Sequence, residues 1–420
     1  MLLKTILGCL AVLSLGLMLW QWCVAWRFPL HRRVNSSSFL PAVTLLKPLK
    51  GCDETTEDCL RSWLAQDYPG HLQVLFGVAQ GDDPVCPLVR RLLREFPDAD
   101  AQLVVCGPPR GANLKVSKLV ELEPLARHEL LIISDADVKA PPDLVANVVA
   151  PLRQAEVGLV TAFYRLANPT TLAMRWEALA TNADFWSQVL QALSLKPLGF
   201  ALGAVMATRR RQLRDIGGLQ ALANCLADDY ELGRRIARRG YRLELSPLVV
   251  ECWSAPMGWE AVWKHQLRWA RTIRLCQPFP YFLSILSNPT LWPLCCLAAN
   301  PGGPALLFGL GCWFTRMAMA LDLQARLERG PEDGGRRSEV GGRRTEDGGR
   351  RSEAAVRSPQ SAVHNPGPGG WSRARGGWLA LLKDLLQPAI WLLAFTGNTI
   401  EWRGQKMRLR RDGTMAPAKR

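Results

Sequence analysis

Charge is missing from two long stretches of this chain, residues 6–26 and 275–315. The first is long enough to span a bilayer core of about 30 Å, and Arg27, His31, Arg32 and Arg33 follow it. With that basic flank and no small-residue cleavage site before it, the stretch reads as an uncleaved membrane anchor over 1–33, leaving the following chain on the cytoplasmic side. The second stretch divides at Asn300-Pro301-Gly302-Gly303-Pro304 into two apolar halves, a membrane hairpin over 275–322. A third stretch, 378–396, is interrupted by Lys383-Asp384 and Pro388. If the hairpin returns the chain to its starting side, this stretch is expected to be re-entrant or interfacial. It opens a C-terminal membrane-associated segment and basic tail over 378–420.

Between the anchor and the hairpin, short apolar runs alternate with longer amphipathic ones. Residues 42–46, 72–78, 102–106, 130–134 and 157–163 read as strands, and 55–66, 84–96 and 142–154 as helices. That alternation predicts an α/β domain over 41–255, a Rossmann-like, mostly parallel sheet with helices on both faces. Ligands of such sheets collect beyond the carboxyl ends of the strands, so polar residues just after strands carry the first functional information. Asp82-Asp83 follows the second strand, and Asp135-Ala136-Asp137 follows the fourth. Two carboxylates two residues apart at the end of an aliphatic run suit a hard divalent cation bound together with substrate phosphates; a plain acidic loop is the bland alternative. Gly111-Ala112-Asn113-Leu114-Lys115 precedes a helix and offers backbone N–H groups and an ammonium to a phosphate, or is an ordinary loop. Asp228-Asp229-Tyr230 opens a helix whose far end is basic, good charge placement for any helix and also a suitable position for a general base.

Residues 256–274 form an amphipathic segment at the polar-to-apolar boundary. Trp263, Lys264, Arg271 and Arg274 suit a membrane interface, while His265, Arg268 and Trp269 fall at i, i+3 and i+4 and share one face. The formal charge of +15, from 52 Lys and Arg against 37 Asp and Glu, suits nucleic acid, anionic lipid or a phosphorylated substrate alike. Its concentration beside the membrane stretches favours lipid over nucleic acid. The 12 cysteines lack zinc spacing and read as buried thiols of a reducing compartment. From residue 334 a seven-residue unit built on Gly-Gly-Arg-Arg repeats three times, and 328–377 reads as a disordered insertion without chemistry of its own.

The order of these motifs resembles the processive-type GT-A glycosyltransferases. Leu45-Leu46-Lys47-Pro48-Leu49-Lys50-Gly51, Asp67-Tyr68-Pro69, Asp82-Asp83-Pro84, Asn113 with Lys115, Asp228-Asp229-Tyr230 and the tail from Trp402-Arg403 look more closely like the ceramide glucosyltransferase-like family. The segment from His265 to Arg271 is also similar to bacterial hopanoid-modifying glycosyltransferases. The resemblance implies a GT-A fold with membrane helices at both ends and a UDP-sugar donor held around Asp82, Asp83, Asn113, Lys115 and Asp135. It further implies Mg²⁺ or Mn²⁺ on Asp135, with Asp229 as base, and Arg268 and Trp269 as the Arg-Trp of the family signature. Three departures stand out. Asp137 replaces a glycine of the animal enzymes and adds a second metal ligand, His265 replaces Gln or Arg at the signature's first position, and the insertion has no counterpart. The expected activity is transfer of a hexose, UDP-glucose first, to the primary hydroxyl of a lipid such as ceramide. The alternatives are N-acetylglucosamine transfer to a hopanoid polyol and a non-catalytic membrane-anchored binding protein.

Overall fold

Aliphatic runs form the strands, and amphipathic stretches form the helices between them. In chain order these are α1 (Leu2–Arg27), β1 (Val43–Pro48), α2 (Thr56–Leu64), β2 (Leu72–Val78), α3 (Val85–Glu95), β3 (Asp100–Val105), α4 (Leu114–Leu122), β4 (Leu130–Ser134), β5 (Val138–Lys139), α5 (Leu144–Val149), β6 (Val157–Leu166), α6 (Leu172–Leu179), α7 (Trp186–Leu193), β7 (Val205–Arg209), α8 (Arg210–Asp215), α9 (Asp228–Arg238), β8 (Arg242–Cys252) and α10 (Trp259–Cys276). The computed structural model describes residues 1–34, 39–328, 376–402, 405–410 and 412–417. All but the two ends of the 328–377 insertion lies outside them, as do Arg403, Arg411, Lys419 and Arg420 of the tail.

The eight strands make one sheet in the order β3-β2-β1-β4-β7-β6-β8-β5. β3, β2, β1 and β4 are parallel, as are β6 and β8, and β7 runs antiparallel between β4 and β6. β2 and β4 have the predicted bounds. β7 and β8 were not expected as strands: β7 is five residues long, and β8 mixes Glu244, Ser246 and Pro247 among its apolar positions. Side chains alternate between the faces, so Leu46, Leu75, Leu131 and Ile133 enter one core and Leu45, Phe76, Leu130 and Ile132 the other. Each such side chain contributes about 1.5–3 kcal/mol by burial. Because β1, β2 and β4 are parallel, the residues that follow them share one edge.

The apolar remainder forms α11 (Pro278–Leu283), α12 (Leu291–Ala299), α13 (Gly303–Glu328) and α14 (Trp378–Phe395). Among the described residues, α1, α13 and α14 are long and apolar enough to cross a membrane, and Pro278–Ser287 with Leu291–Ala299 is a pair bent by 53°. The carboxyl ends of α1 and α13 meet: Trp22 and Trp26 Nε1 donate to Asp322 Oδ2 at 2.8 and 2.9 Å, and His31 Nε2 lies 2.8 Å from Arg326 O. α14 starts against Met317 and Leu321 of α13 and ends with Phe395 against Tyr281 and Arg274.

Between α6 and α7 the chain takes a π-helical turn, Ala180–Phe185. Its Asp184 joins a buried quartet. Arg316 of α13 forks onto Asp184 (Nη2 to Oδ2 and Nη1 to Oδ1, both 3.0 Å) and onto Asp384 (2.9 Å through both Nε and Nη2), while Lys383 Nζ lies 2.5 Å from Asp184 Oδ2. Thr290 Oγ1 donates to Asp384 Oδ2 at 2.7 Å.

Where the basic tail is described, it is folded. β9 (Thr399–Trp402), β10 (Gln405–Leu409) and β11 (Met415–Pro417) form an antiparallel sheet. Ile400, Met407, Leu409 and Met415 bury together against Ala112, Leu226 and Leu275, an apolar set hidden in sequence by the arginines around it. Met415 N donates to Asn224 O at 2.8 Å and Leu226 N to Gly413 O at 3.3 Å. Arg271 and Arg274 of α10, expected to suit a membrane interface, bond Thr399 O and Asn398 Oδ1, and Lys264 pairs with Glu260 at 2.9 Å and Glu401 at 3.3 Å.

Candidate active site

Asp135 and Asp137 leave the end of β4 beneath α4 and α9. Asn113 caps α4, its Oδ1 accepting from Lys115 N at 3.0 Å and Val116 N at 3.1 Å, as caps of this type do. Its Nδ2 donates to Cys225 O at 2.8 Å and Asp228 Oδ1 at 3.2 Å, so the cap of one helix fixes the start of the other. The Lys115 ammonium bridges Asp135 Oδ1 at 2.6 Å and Asp228 Oδ2 at 3.1 Å. Burial alone would lower its affinity for a proton, but the two carboxylates outweigh that and raise it.

Lys47, fully buried in β1, supports Asp135 from below, donating to Asp135 O at 2.6 Å and Ser134 Oγ at 3.3 Å. Burial pulls its ammonium down to about 8. Asp229 is half-buried at the start of α9, its Oδ1 accepting from Tyr230 N at 2.8 Å. Desolvation, then the charge of Asp228, push its carboxyl up to about 6. A Cβ built on Gly203 would lie 2.8 Å from Asp229 Oδ2, so a side chain there would push the Asp229 carboxylate aside, in a loop pinned by Thr161 Oγ1 donating to Leu202 O at 2.8 Å and by Asp135 N donating to Ala204 O at 3.3 Å.

Two ammonium groups thus face four carboxylates, Asp135, Asp137, Asp228 and Asp229. Burial and, next, the charge of Asp135 push the Asp137 carboxyl up to about 6, although an open cleft leaves that side chain accessible to water. A pair of carboxylates that resist joint ionisation is what a divalent cation relieves, so Asp135 and Asp137 fit a Mg²⁺ or Mn²⁺ ion. Asp83 sits at the neighbouring strand ends, its Oδ1 accepting from Gly51 N at 2.9 Å and Val85 N at 3.1 Å, where it shapes the loop after β1. Asp82 is exposed beside it.

α10 lies across this edge. Its lead-in is tied to the acidic loop by Trp253 N donating to Asp137 O at 2.9 Å. Its far end is tied to α9 by Tyr230 Oη donating to Cys276 O at 2.9 Å. His265 packs on Trp269 with ring centroids 4.8 Å apart, Trp269 on Phe185 at 6.3 Å, and Phe185 on Tyr164 at 5.7 Å. Burial, then Cys252 and the charges of Asp229, Asp135 and Asp137, hold the Tyr164 hydroxyl well above its ordinary range, so the aromatic chain ends beside the acidic floor. Arg268 is half-buried on the same helix, its carbonyl accepting from Thr272 Oγ1 at 2.8 Å.

Three residues of the site had no role of their own in the sequence reading. Lys47 was legible as a lysine inside an aliphatic strand, and Asp228 as the neighbour of Asp229. Glu177 carried no signal: it lies in α6, is 1% exposed, and its Oε1 is 2.6 Å from His265 Nδ1 and accepts from Gln266 Nε2 at 3.0 Å.

The family model of glycosyl transferase family 21 matches residues 6–334 and 361–415. The chain belongs to glycosyl transferase family 21. The gap in the match falls inside the predicted insertion, and the match agrees with the resemblance read from the motifs. This family 21 chain is 24% identical over 221 residues to ceramide glucosyltransferase 3 of Caenorhabditis elegans, covering 52% of this chain and 48% of that one. It is 24% identical over 251 residues to the beta-monoglucosyldiacylglycerol synthase of Trichormus variabilis, covering 58% and 51%. The chain spans about half the length of the curated relatives it matches. Among solved structures it is similar to a mannosyltransferase from Pyrobaculum calidifontis in complex with GDP-Man and Mn²⁺, with 22% identity, a TM-score of 0.49, and coverage of 77% of this chain and 98% of that one.

Proposed function

We propose that this chain is a membrane-embedded, inverting glycosyltransferase that moves a hexose from a UDP-sugar, UDP-glucose first, to the primary hydroxyl of a lipid such as ceramide. The observation that carries the reading is Asp229, a carboxylate near 6 between the acidic loop and an aromatic wall on a helix that leads into apolar helices. In this reading Asp229 accepts the proton of the lipid hydroxyl as its oxygen bonds to the anomeric carbon, while the bond to UDP breaks on the opposite face, so configuration inverts. Mg²⁺ or Mn²⁺ on Asp135 and Asp137 would balance the charge that the departing diphosphate gathers. Arg268 pairs with the diphosphate, Asp82, Asp83, Asn113 and Lys115 shape the nucleotide end, and His265 and Trp269 bound the acceptor.

The arrangement of helices supports a multi-pass topology with the catalytic domain on the cytoplasmic side. The basic flank follows α1, and both ends of α14 pack on elements near the catalytic domain, as an interfacial helix would. Lipid headgroup chemistry remains the finer choice. The diacylglycerol product named for the Trichormus relative favours a glycerolipid as the second acceptor to try, ahead of a hopanoid polyol.

Purified protein in nanodiscs, given UDP-glucose or UDP-N-acetylglucosamine with ceramide, diacylglycerol or a hopanoid polyol in parallel, tests this by mass spectrometry of the lipids. Hexosylceramide is the expected product. An N-acetylhexosaminyl hopanoid or a glucosyl diacylglycerol moves the assignment to that acceptor. No sugar transfer to any of the lipids overturns the reading.

A further inference from the structure

The opposite edge of the sheet, where β2, β3 and β4 begin, holds a second group of ligating side chains that the proposed chemistry does not use. His71 precedes β2, Asp100 opens β3 and His128 precedes β4. His71 Nδ1 lies 3.1 Å from His128 Nε2, and one ligand atom from each of His71, Asp100 and His128 can be chosen so that all lie within 4.8 Å of one another. Two imidazole nitrogens on one tetrahedral zinc ion, each about 2.0–2.1 Å from it, stand roughly 3.3 Å apart. The imidazole pair is therefore close to metal-binding separation.

Their backbones are held by buried groups. Gln73, on the strand after His71 and 3% exposed, accepts through Oε1 from Arg127 N at 2.9 Å and from Thr44 Oγ1 at 2.8 Å, and donates through Nε2 to Leu125 O at 3.2 Å. His128 N donates to Thr44 Oγ1 at 3.4 Å, and His71 O accepts from Val43 N at 2.8 Å. The loop carrying His128 is thus fixed to β1 and to β2, the strand His71 leads into, and Gln73 of β2 pairs with Asp100 of β3, as supporting hydrogen bonds fix the ligands of metal sites. Arg127 now bonds the Asp100 carboxylate and competes with any cation for it.

We propose that His71, Asp100 and His128 bind a transition-metal dication of the zinc type, with water completing the coordination, at a site separate from the sugar-transfer cleft. Two nitrogen ligands and one carboxylate select such an ion over Mg²⁺, which takes oxygen ligands. By joining the starts of three strands, the ion stabilises the sheet edge in proportion to its binding.

The test uses the full chain in detergent, stripped with a chelator and kept in saturating Mg²⁺ to occupy the acidic loop. Zn²⁺ is titrated by calorimetry, and Co²⁺ is added separately as a spectroscopic probe. One equivalent of Zn²⁺, a tetrahedral Co²⁺ absorption band, and at least a tenfold loss of affinity in His71→Asn and His128→Gln are expected. Arg127→Gln, which leaves both imidazoles in place, is expected to bind Zn²⁺ more tightly. Zn²⁺ affinity unchanged in the histidine variants, or no Co²⁺ band with folded wild-type protein, means that the two imidazoles only share a hydrogen bond and overturns the site.

Discussion

The molecule contains two clusters of charge, one shut away from water and one open to it, and they are built to opposite specifications. Around Arg316 two cations meet two carboxylates, and both carboxylates are engaged by the guanidinium fork. Arg316 and Asp384 are each 2% exposed. Around Lys115, by contrast, four carboxylates outnumber two ammonium groups, Asp137 and Asp229 are driven toward protonation, and the Asp135 side chain keeps 36% of its surface open. A balanced, closed network satisfies itself and can only hold elements together. An unbalanced, open one draws a cation and a proton from outside, which is the signature of a site.

Substitutions on each side separate these roles. Asp229→Asn should lower kcat by about 10²–10⁴, the usual contribution of a general base, with melting temperature and UDP binding unchanged; full turnover in that variant would remove the base assignment. Chelation should abolish activity and Mn²⁺ restore it, whereas equal rates with and without chelator would take the metal away from Asp135 and Asp137.

Arg316→Leu should reverse the pattern. Leaving Lys383 as the one cation against two buried carboxylates costs about 3–5 kcal/mol, read as a lower unfolding temperature in detergent, while turnover per folded molecule persists. Lost turnover at full stability would join the two clusters into one site. The pH profile gives a smaller effect. Asp229 must be ionised to act, so log(kcat/KM) should be flat above about 6 and fall below it as the carboxylate takes up its proton. Asp228→Asn removes a charge that raises Asp229 and should move this limb to lower pH, the same direction in which a bound dication draws it. The smallest effect is expected from Glu177→Gln, which keeps a hydrogen-bonding partner for His265 but not its charge. A loss of roughly 1 kcal/mol predicts about a fivefold higher KM for the lipid with the KM for UDP-sugar unmoved.

The floor of the cleft was far more legible than its wall, for a physical reason. β4 is an aliphatic run ended abruptly by Asp135-Ala136-Asp137, and β2 is a largely apolar run with Gly81-Asp82-Asp83 shortly after it, so local sequence carries both strand and chemistry. The wall depends on contacts between distant segments. Glu177 reaches His265 from another helix, and Arg271 finds Thr399 across 128 positions. The C-terminal strands were hidden because Met407 and Leu409 alternate with Lys406, Arg408 and Arg410, a pattern that reads as a tail until Ala112 and Leu226 are seen beneath it. Composition reported the charge of that segment and concealed its amphipathic face.

The π turn at Ala180–Phe185 couples these two worlds through adjacent residues, Asp184 on the Arg316 quartet and Phe185 on Trp269. Such a turn is an α-helix carrying an inserted residue, and one residue is worth about 100° of helical phase. Deleting a single position there would therefore act as a twist of everything downstream rather than as a shortening: α7 would present a different face to α1, and the quartet and the aromatic wall would fall out of phase with one another. The segment thus works as a phase spacer, whose length sets the register between the two clusters.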